Sequence, residues 1–156
     1  MGADLSQVSI LTRREIEARI AGPLIKAFIE ELGRDKALKV VSRVIKSLAW
    51  ESGEQLASQM GGNSIADFAR GLSAWGAGGA YEMQELELTD TKYDFDIKRC
   101  RYAEMYKELG LADLGVVLSC ARDFDLIEGF NPRMKLARTQ TIMEEYDHCD
   151  FRITLK

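Results

Sequence analysis

The chain ends on EEYDHCDFRITLK, where Asp147, His148, Cys149 and Asp150 follow one another. A thiol, an imidazole and two carboxylates so close could form a nucleophile with its base, a metal ligand set, or the polar edge of a strand. A second concentration is VVLSCARDFDLI, in which Cys120 and Asp123 stand one helical turn apart. On a helical wheel of about 100° per residue, Val116, Cys120 and Ile127 fall together, Val117 and Phe124 widen the stripe, and Asp123 marks its border. A carboxylate drawn partly into a core needs a partner such as an arginine or a group of amides, or its pKa climbs. The plainer readings are a helix aspartate paired with a nearby Arg or Lys and a core thiol that packs as a small hydrophobe.

In a regular strand over 149–155, Cys149, Phe151, Ile153 and Leu155 share one face, and His148, Asp150 and Arg152 the other. His148 and Cys149 then point apart and are a poor catalytic pair, whereas Cys149 can meet Cys120 or Asp123 from a covering helix. His148 is the sole histidine and the candidate proton carrier near neutral pH, or else a loop residue at the strand entrance. Cys100, Cys120 and Cys149 are too widely spaced for C-x-x-C, and no H-x-x-x-H or H-E-x-x-H accompanies them, so no metal is expected. Neither G-x-G-x-x-G nor G-x-x-x-x-G-K-S/T is present, and no cofactor is expected.

The elements that must position these groups change texture along the chain. LTRREIEARIAGPLIKAFIEELG reads as a helix capped by Thr12, bent at Pro23, with Ile16, Ile20, Leu24 and Phe28 as its apolar stripe. A second helix, capped by Asp35, carries Leu38, Val41, Ile45, Leu48 and Leu56 and stops at Gly61 and Gly62. Ser64 and Asp67 start a third. Period two then replaces period 3.6: strands are expected over roughly 82–89, 93–101, 134–143 and 149–155, with a helix inserted over 112–128. This predicts an α+β fold, N-terminal helices and one inserted helix packed on a small, mostly antiparallel four-stranded sheet.

With 156 residues, 46% of them hydrophobic, the chain suits one domain spanning 1–156. No stretch has the apolar length of a membrane span and no signal peptide is evident, so no membrane partner and a cytoplasmic location with free thiols are expected. A net charge of −4, from 21 basic against 25 acidic residues, does not favour nucleic acid.

The run from Lys98 to the end resembles the L-2-amino-thiazoline-4-carboxylic acid hydrolase family of small bacterial proteins. The resemblance rests on Arg99, Cys100 and Tyr102, on Leu109 and Gly110, on Cys120 and Asp123, on Arg138, Thr139 and Thr141, and on Cys149, Asp150 and Phe151. The chain departs from the family in having MEEYDH where a glycine often precedes the last Cys-Asp-Phe. The resemblance implies hydrolysis of a C–N bond in a small cyclic amidine, amide or thiazoline, the type reaction giving N-carbamoyl-cysteine. Such chemistry needs a nucleophile, stabilisation of a tetrahedral species and a proton for the leaving atom. Cys120, Asp123, Cys149 and His148 are the catalytic candidates, and Cys120, its pKa lowered by a neighbouring cation, is preferred as nucleophile. Arg99, Tyr102, Arg138, Thr139, Thr141 and Asp150 are the substrate-binding candidates, an arginine forking a substrate carboxylate. The alternative is a sensory or small-molecule-binding domain that uses the same pocket without turnover, and a homo-oligomer is expected.

Overall fold

A computed structural model describes Leu5 and residues 7–156. Two long helices, α1 (Ile10–Leu32) and α2 (Arg34–Met60), form a hairpin turned at Gly33, whose φ of 81° lies in the left-handed region. Ser9, not Thr12, caps α1: its hydroxyl accepts from the Thr12 amide at 3.1 Å. Gly33 occupies the cap of α2, and Asp35 lies in the first turn, where a carboxylate still favours the helix dipole. α1 runs through Pro23 unbroken. α3 (Ile65–Gly71) begins with the reciprocal Ser64–Asp67 capping box.

The sheet is wholly antiparallel, in the order β1 (Tyr81–Leu88), β2 (Lys92–Cys100), β4 (Cys149–Leu155), β3 (Met134–Ala137). Between β2 and β3 the chain forms α4 (Arg101–Glu108), α5 (Ala112–Gly115) and α6 (Arg122–Phe130). The expected single helix over 112–128 is interrupted by a π-helical segment, Val116–Cys120, where the Ala121 amide donates to the Val116 carbonyl at 2.8 Å. Strand β3 is also shorter than expected. The Asp150 carboxylate accepts from the amides of Thr139 and Gln140, both at 2.9 Å, and so draws 138–141 out of the ladder.

One core cluster lies between the sheet and α2, α3 and α6, around Phe68, Tyr93, Phe95, Phe130 and Ile153. The second joins α1, α4 and α5 around Ala18, Tyr106, Leu114 and Met143. The stripe Ile16, Ile20, Leu24 and Phe28, read above as the core face of α1, is more than half exposed. The inward face instead carries Ala18, Gly22 and Ile25; a Cβ on Gly22 would lie 2.6 Å from the Leu111 side chain, so small residues allow the close approach. Helices α2 and α6 cross at backbone contact. A Cβ on Gly53 would stand 2.2 Å from the Leu126 carbonyl oxygen, and one on Gly129 would stand 2.3 Å from that of Trp50. That crossing fixes the height of α6, and with it Asp123, above the sheet.

Candidate functional site

Between the two clusters is a cavity of about 800 Å³, open to solvent on one side and bordered by α1, α2, the inner face of the sheet, α4 and the start of α6. Cys100, Tyr102, Cys120, Asp123, Arg138 and Cys149 all line it. The sheet delivers Cys149 as its parity requires: Cys149 pairs with Ile97 and Phe151 with Phe95, all facing inward, and the two phenylalanine rings stack at 4.8 Å. Cys100 ends β2 and precedes the first turn of α4. Cys120 closes the π-helical segment, a rare geometry that is frequent at functional sites.

Arg138 and Asp123 form the polar centre. Nη1 of Arg138 donates to Asp123 Oδ2 at 2.5 Å and Nη2 to the Cys120 carbonyl at 2.8 Å. The guanidinium lies 5.0 Å from the Phe124 ring and 5.1 Å from that of Phe151, a cation held between two π faces. Arg138 is thus the arginine partner that a half-buried Asp123 requires. Its hydrogen-bonding edge is already committed, which leaves it poorly placed as the fork for a substrate carboxylate. Burial pushes the Asp123 carboxyl above the ordinary range, with the charge of Arg138 first among the effects opposing it.

All three thiols are pushed up, chiefly by burial. This reverses the expectation of a low pKa at Cys120, whose thiol is raised far above that of a free cysteine by burial and then by the charge of Asp123. Cys149 is raised to about 11; the Ile142 amide, donating to its sulfur at 3.2 Å, opposes the rise. Cys100 is also raised, but the amides of Ala103 and Tyr102 at the start of α4 favour its thiolate. Asp123 raises each of the three, as a carboxylate set among them must. Cys100, read from the sequence as one polar strand residue among others, therefore has the best electrostatic surroundings. The strand-to-helix junction after it was the signal that could have found it.

The remaining candidates, Tyr102 apart, lie elsewhere. His148 is on the opposite face of the sheet, its Nδ1 2.7 Å from Asp147 and its Nε2 3.8 Å from Asp96. Arg99 is exposed and paired with Glu104 at 2.7 Å. Thr139 donates its hydroxyl to Asp150 at 2.7 Å, and Thr141 caps the 3-10 turn Ile142–Glu144, so these three order the loop rather than line the cavity. Tyr102 does line it and donates its hydroxyl to the Trp75 carbonyl at 3.1 Å. Within MEEYDH, Glu145 takes the left-handed conformation, with a φ of 73°. Sequence reasoning missed Arg14 and Arg122, which also line the cavity. Among the described residues no group of three His, Cys, Asp or Glu side chains is arranged to hold a metal, and no helix is long and apolar enough to cross a membrane.

A family model described as L-2-amino-thiazoline-4-carboxylic acid hydrolase matches residues 13–153. No curated protein matches the chain. Among solved structures, the chain is similar to the phenol-responsive sensory domain of the transcription activator PoxR, crystallised with phenol, at 12% identity and a TM-score of 0.57, over 94% of this chain and 76% of that one. It is equally similar, again at 12% identity and 0.57, to a trafficking protein particle complex subunit 3 from Naegleria fowleri covalently bound to palmitic acid, over 92% of this chain and 95% of that one. Identity this low bears on the fold alone.

Proposed function

The chain belongs to the L-2-amino-thiazoline-4-carboxylic acid hydrolase family, and on that premise we propose that it opens a small cyclic amidine, amide or thiazoline ring by hydrolysis. The observation that carries this reading is the convergence of three thiols, a buried carboxylate and a buried guanidinium on one cavity. Cys100 is the attacking thiol and Asp123 the proton carrier. A protonated cyclic amidine brings into the cavity the positive charge that the resting thiols lack, and so favours the thiolate as it binds.

For a thiazoline, the Cys100 Sγ adds to the ring carbon bonded to both sulfur and nitrogen. The carbon–sulfur ring bond breaks, and the departing sulfur takes the proton that Asp123 accepted from the thiol. Water then adds to the resulting isothiourea on Cys100, expels the thiol and leaves an N-carbamoyl amino acid; both nitrogens stay on the carbon, so for a thiazoline the bond cleaved is carbon–sulfur and not the carbon–nitrogen bond expected from the sequence. In a cyclic amide the same sequence breaks the carbon–nitrogen bond and passes through a thioester.

A second reading, a small-molecule-binding domain without turnover, is favoured by the upward shift of every thiol and by the molecules held in the two similar structures, phenol and palmitic acid. Incubating the wild-type protein with 2-aminothiazoline-4-carboxylate, its ring-substituted derivatives and cyclic amides separates the two. Free thiol or primary amine, released in proportion to enzyme, is the expected result. Saturable binding across the series with no product favours the second reading. The exposed apolar stripe on α1, with Val40 and Val44 also exposed on α2, supports a homo-oligomer; a solution mass of one chain by sedimentation is the contrary result.

A further inference from the structure

Arg122 is 9% exposed, lines the cavity, and makes no hydrogen bond or ion pair among the described residues. Its stem is buried, but among the described residues the one fully occluded side-chain oxygen or nitrogen without a partner is Asp94 Oδ1, so the Arg122 nitrogens open onto the cavity, where no protein group meets them; arginines this buried are almost always paired. Its surroundings deepen the anomaly. Arg14, reaching the same cavity from α1, is close enough for its positive charge to oppose that of Arg122, and burial pushes the Arg122 guanidinium down in the same sense. Arg14 is neutralised by Glu17, at 2.6 Å and 2.9 Å. Glu17, Tyr106 and Asp123 influence Arg122 by charge, but none gives it a hydrogen bond or ion pair, and Asp123 is committed to Arg138.

We infer that Arg122, flanked by Arg14, is the anion receptor of the cavity and that the ligand is an amphipathic carboxylate, its charged end on Arg122 and an apolar body along the rest of the wall. The guanidinium offers a planar pair of donors matched to a carboxylate, which supplies the missing counter-charge and hydrogen bonds together. The apolar body follows from the lining. Ile45, Leu48, Leu56, Trp75, Phe95 and Ile97 border the same space. A cavity of about 800 Å³ is in the range that encloses drug-sized ligands, ~300–1,000 Å³, and exceeds the needs of a five-membered ring bearing one carboxylate. Placing the scissile ring of such a ligand beside Cys100 rests on the hydrolase reading; the anion receptor does not. If the reading holds, 2-aminothiazoline-4-carboxylate is the minimal member of a class whose better substrates carry an apolar substituent.

The test uses octanoate and octanamide, which share a chain and differ in charge, with binding to the full-length protein followed by calorimetry at pH 7.5. The wild type is expected to bind octanoate at least about tenfold more tightly than the amide, as one charge-assisted contact to a buried arginine warrants. Arg122→Met, which keeps the apolar stem and removes the charge, brings the ratio to about one. Arg122→Lys keeps a smaller preference, because the charge remains without the fork. The melting temperature of unliganded Arg122→Met is expected to equal or exceed that of the wild type, since Arg122 has no hydrogen bond or ion pair to lose and the apolar stem is kept. Equal binding of the two probes by the wild type, or a preference for octanoate kept in Arg122→Met, overturns the inference. So does an Arg122→Met protein that melts several degrees lower or fails to fold, because Arg122 would then be serving the fold. Absence of ring opening with the octanoate preference intact ends the hydrolase reading and leaves the anion receptor standing.

Discussion

Arg138→Met lowers the free energy of unfolding by about 3–5 kcal/mol, the loss expected when one partner of a buried ion pair is removed and the other charge stays behind. The side chain of Arg138 is 6% exposed and that of Asp123 21%, so solvent does little to replace the lost contact. Three interactions go at once: the 2.5 Å bond to Asp123, the donor to the Cys120 carbonyl, and the cation between Phe124 and Phe151. The pH dependence carries the sign of the effect. Without the guanidinium, the folded-state pKa of Asp123, already raised by burial, moves further above its unfolded value. Folding then favours the protonated carboxyl, so stability is greatest at acid pH and is lost as pH rises through the folded-state pKa. The deficit of Arg138→Met is therefore smaller at pH 4 than at pH 8, and Arg138→Met combined with Asp123→Asn recovers much of it. Urea titrations at both pH values measure this. A loss under about 1 kcal/mol at pH 8 would mean the pair is no stronger than a surface salt bridge.

The legible parts of this protein are those in which one residue's neighbours decide its place. Alternation along 149–155 put Cys149, Phe151 and Ile153 on the core face and His148 on the other, and the β2–β4 register bears this out. The need of Asp123 for a partner, an arginine or a group of amides, was legible too, because a half-buried carboxylate has few alternatives. Which arginine was not: Arg138 lies just past the end of β3, at the start of a segment whose Thr139 and Gln140 amides turn to Asp150 instead of the ladder, and the period-two pattern does not show that departure. The α1 stripe failed for a related reason. Ile16, Ile20, Leu24 and Phe28 have the spacing of a core face, but the helix turns its small residues inward, toward Leu111, and sequence spacing cannot rank two faces by the closeness of a partner. The π-helical turn at Val116–Cys120 shifts the wheel by part of a turn, so the angle between Cys120 and its upstream neighbours could not be read at about 100° per residue. Arg122 went unnoticed beside Asp123 because an Arg-Asp pair in a helix looks like solvated surface until the packing of α6 against α2 and the cavity is known.

Cys100→Ser lowers kcat/KM for ring opening by at least about 10³-fold, whereas Cys120→Ser and Cys149→Ser stay within about tenfold of wild type, as is expected when one thiol forms the covalent intermediate and the others line its pocket. The order follows from what surrounds each sulfur. Cys120 has no amide donor and meets the Asp123 charge, so its thiolate is the most disfavoured. Cys149 has one donor, from Ile142, and a thiol near 11. Only Cys100 stands ahead of two helix-start amides that favour its thiolate, although its side chain makes no capping hydrogen bond. At pH 8 a thiol of pKa about 11 is ionised to roughly one part in a thousand. Iodoacetamide should accordingly modify the native protein far more slowly than the urea-unfolded chain, with Cys100 labelled first and the rate at Cys149 climbing about tenfold per pH unit from pH 8 toward its pKa. Peptide mapping after partial labelling reads the order, and loss of activity should follow the Cys100 adduct alone. Full turnover in Cys100→Ser ends its assignment as nucleophile. Equal losses in all three variants would point to packing of the cavity wall, because conservative exchange of a lining thiol should not stop a reaction it does not enter.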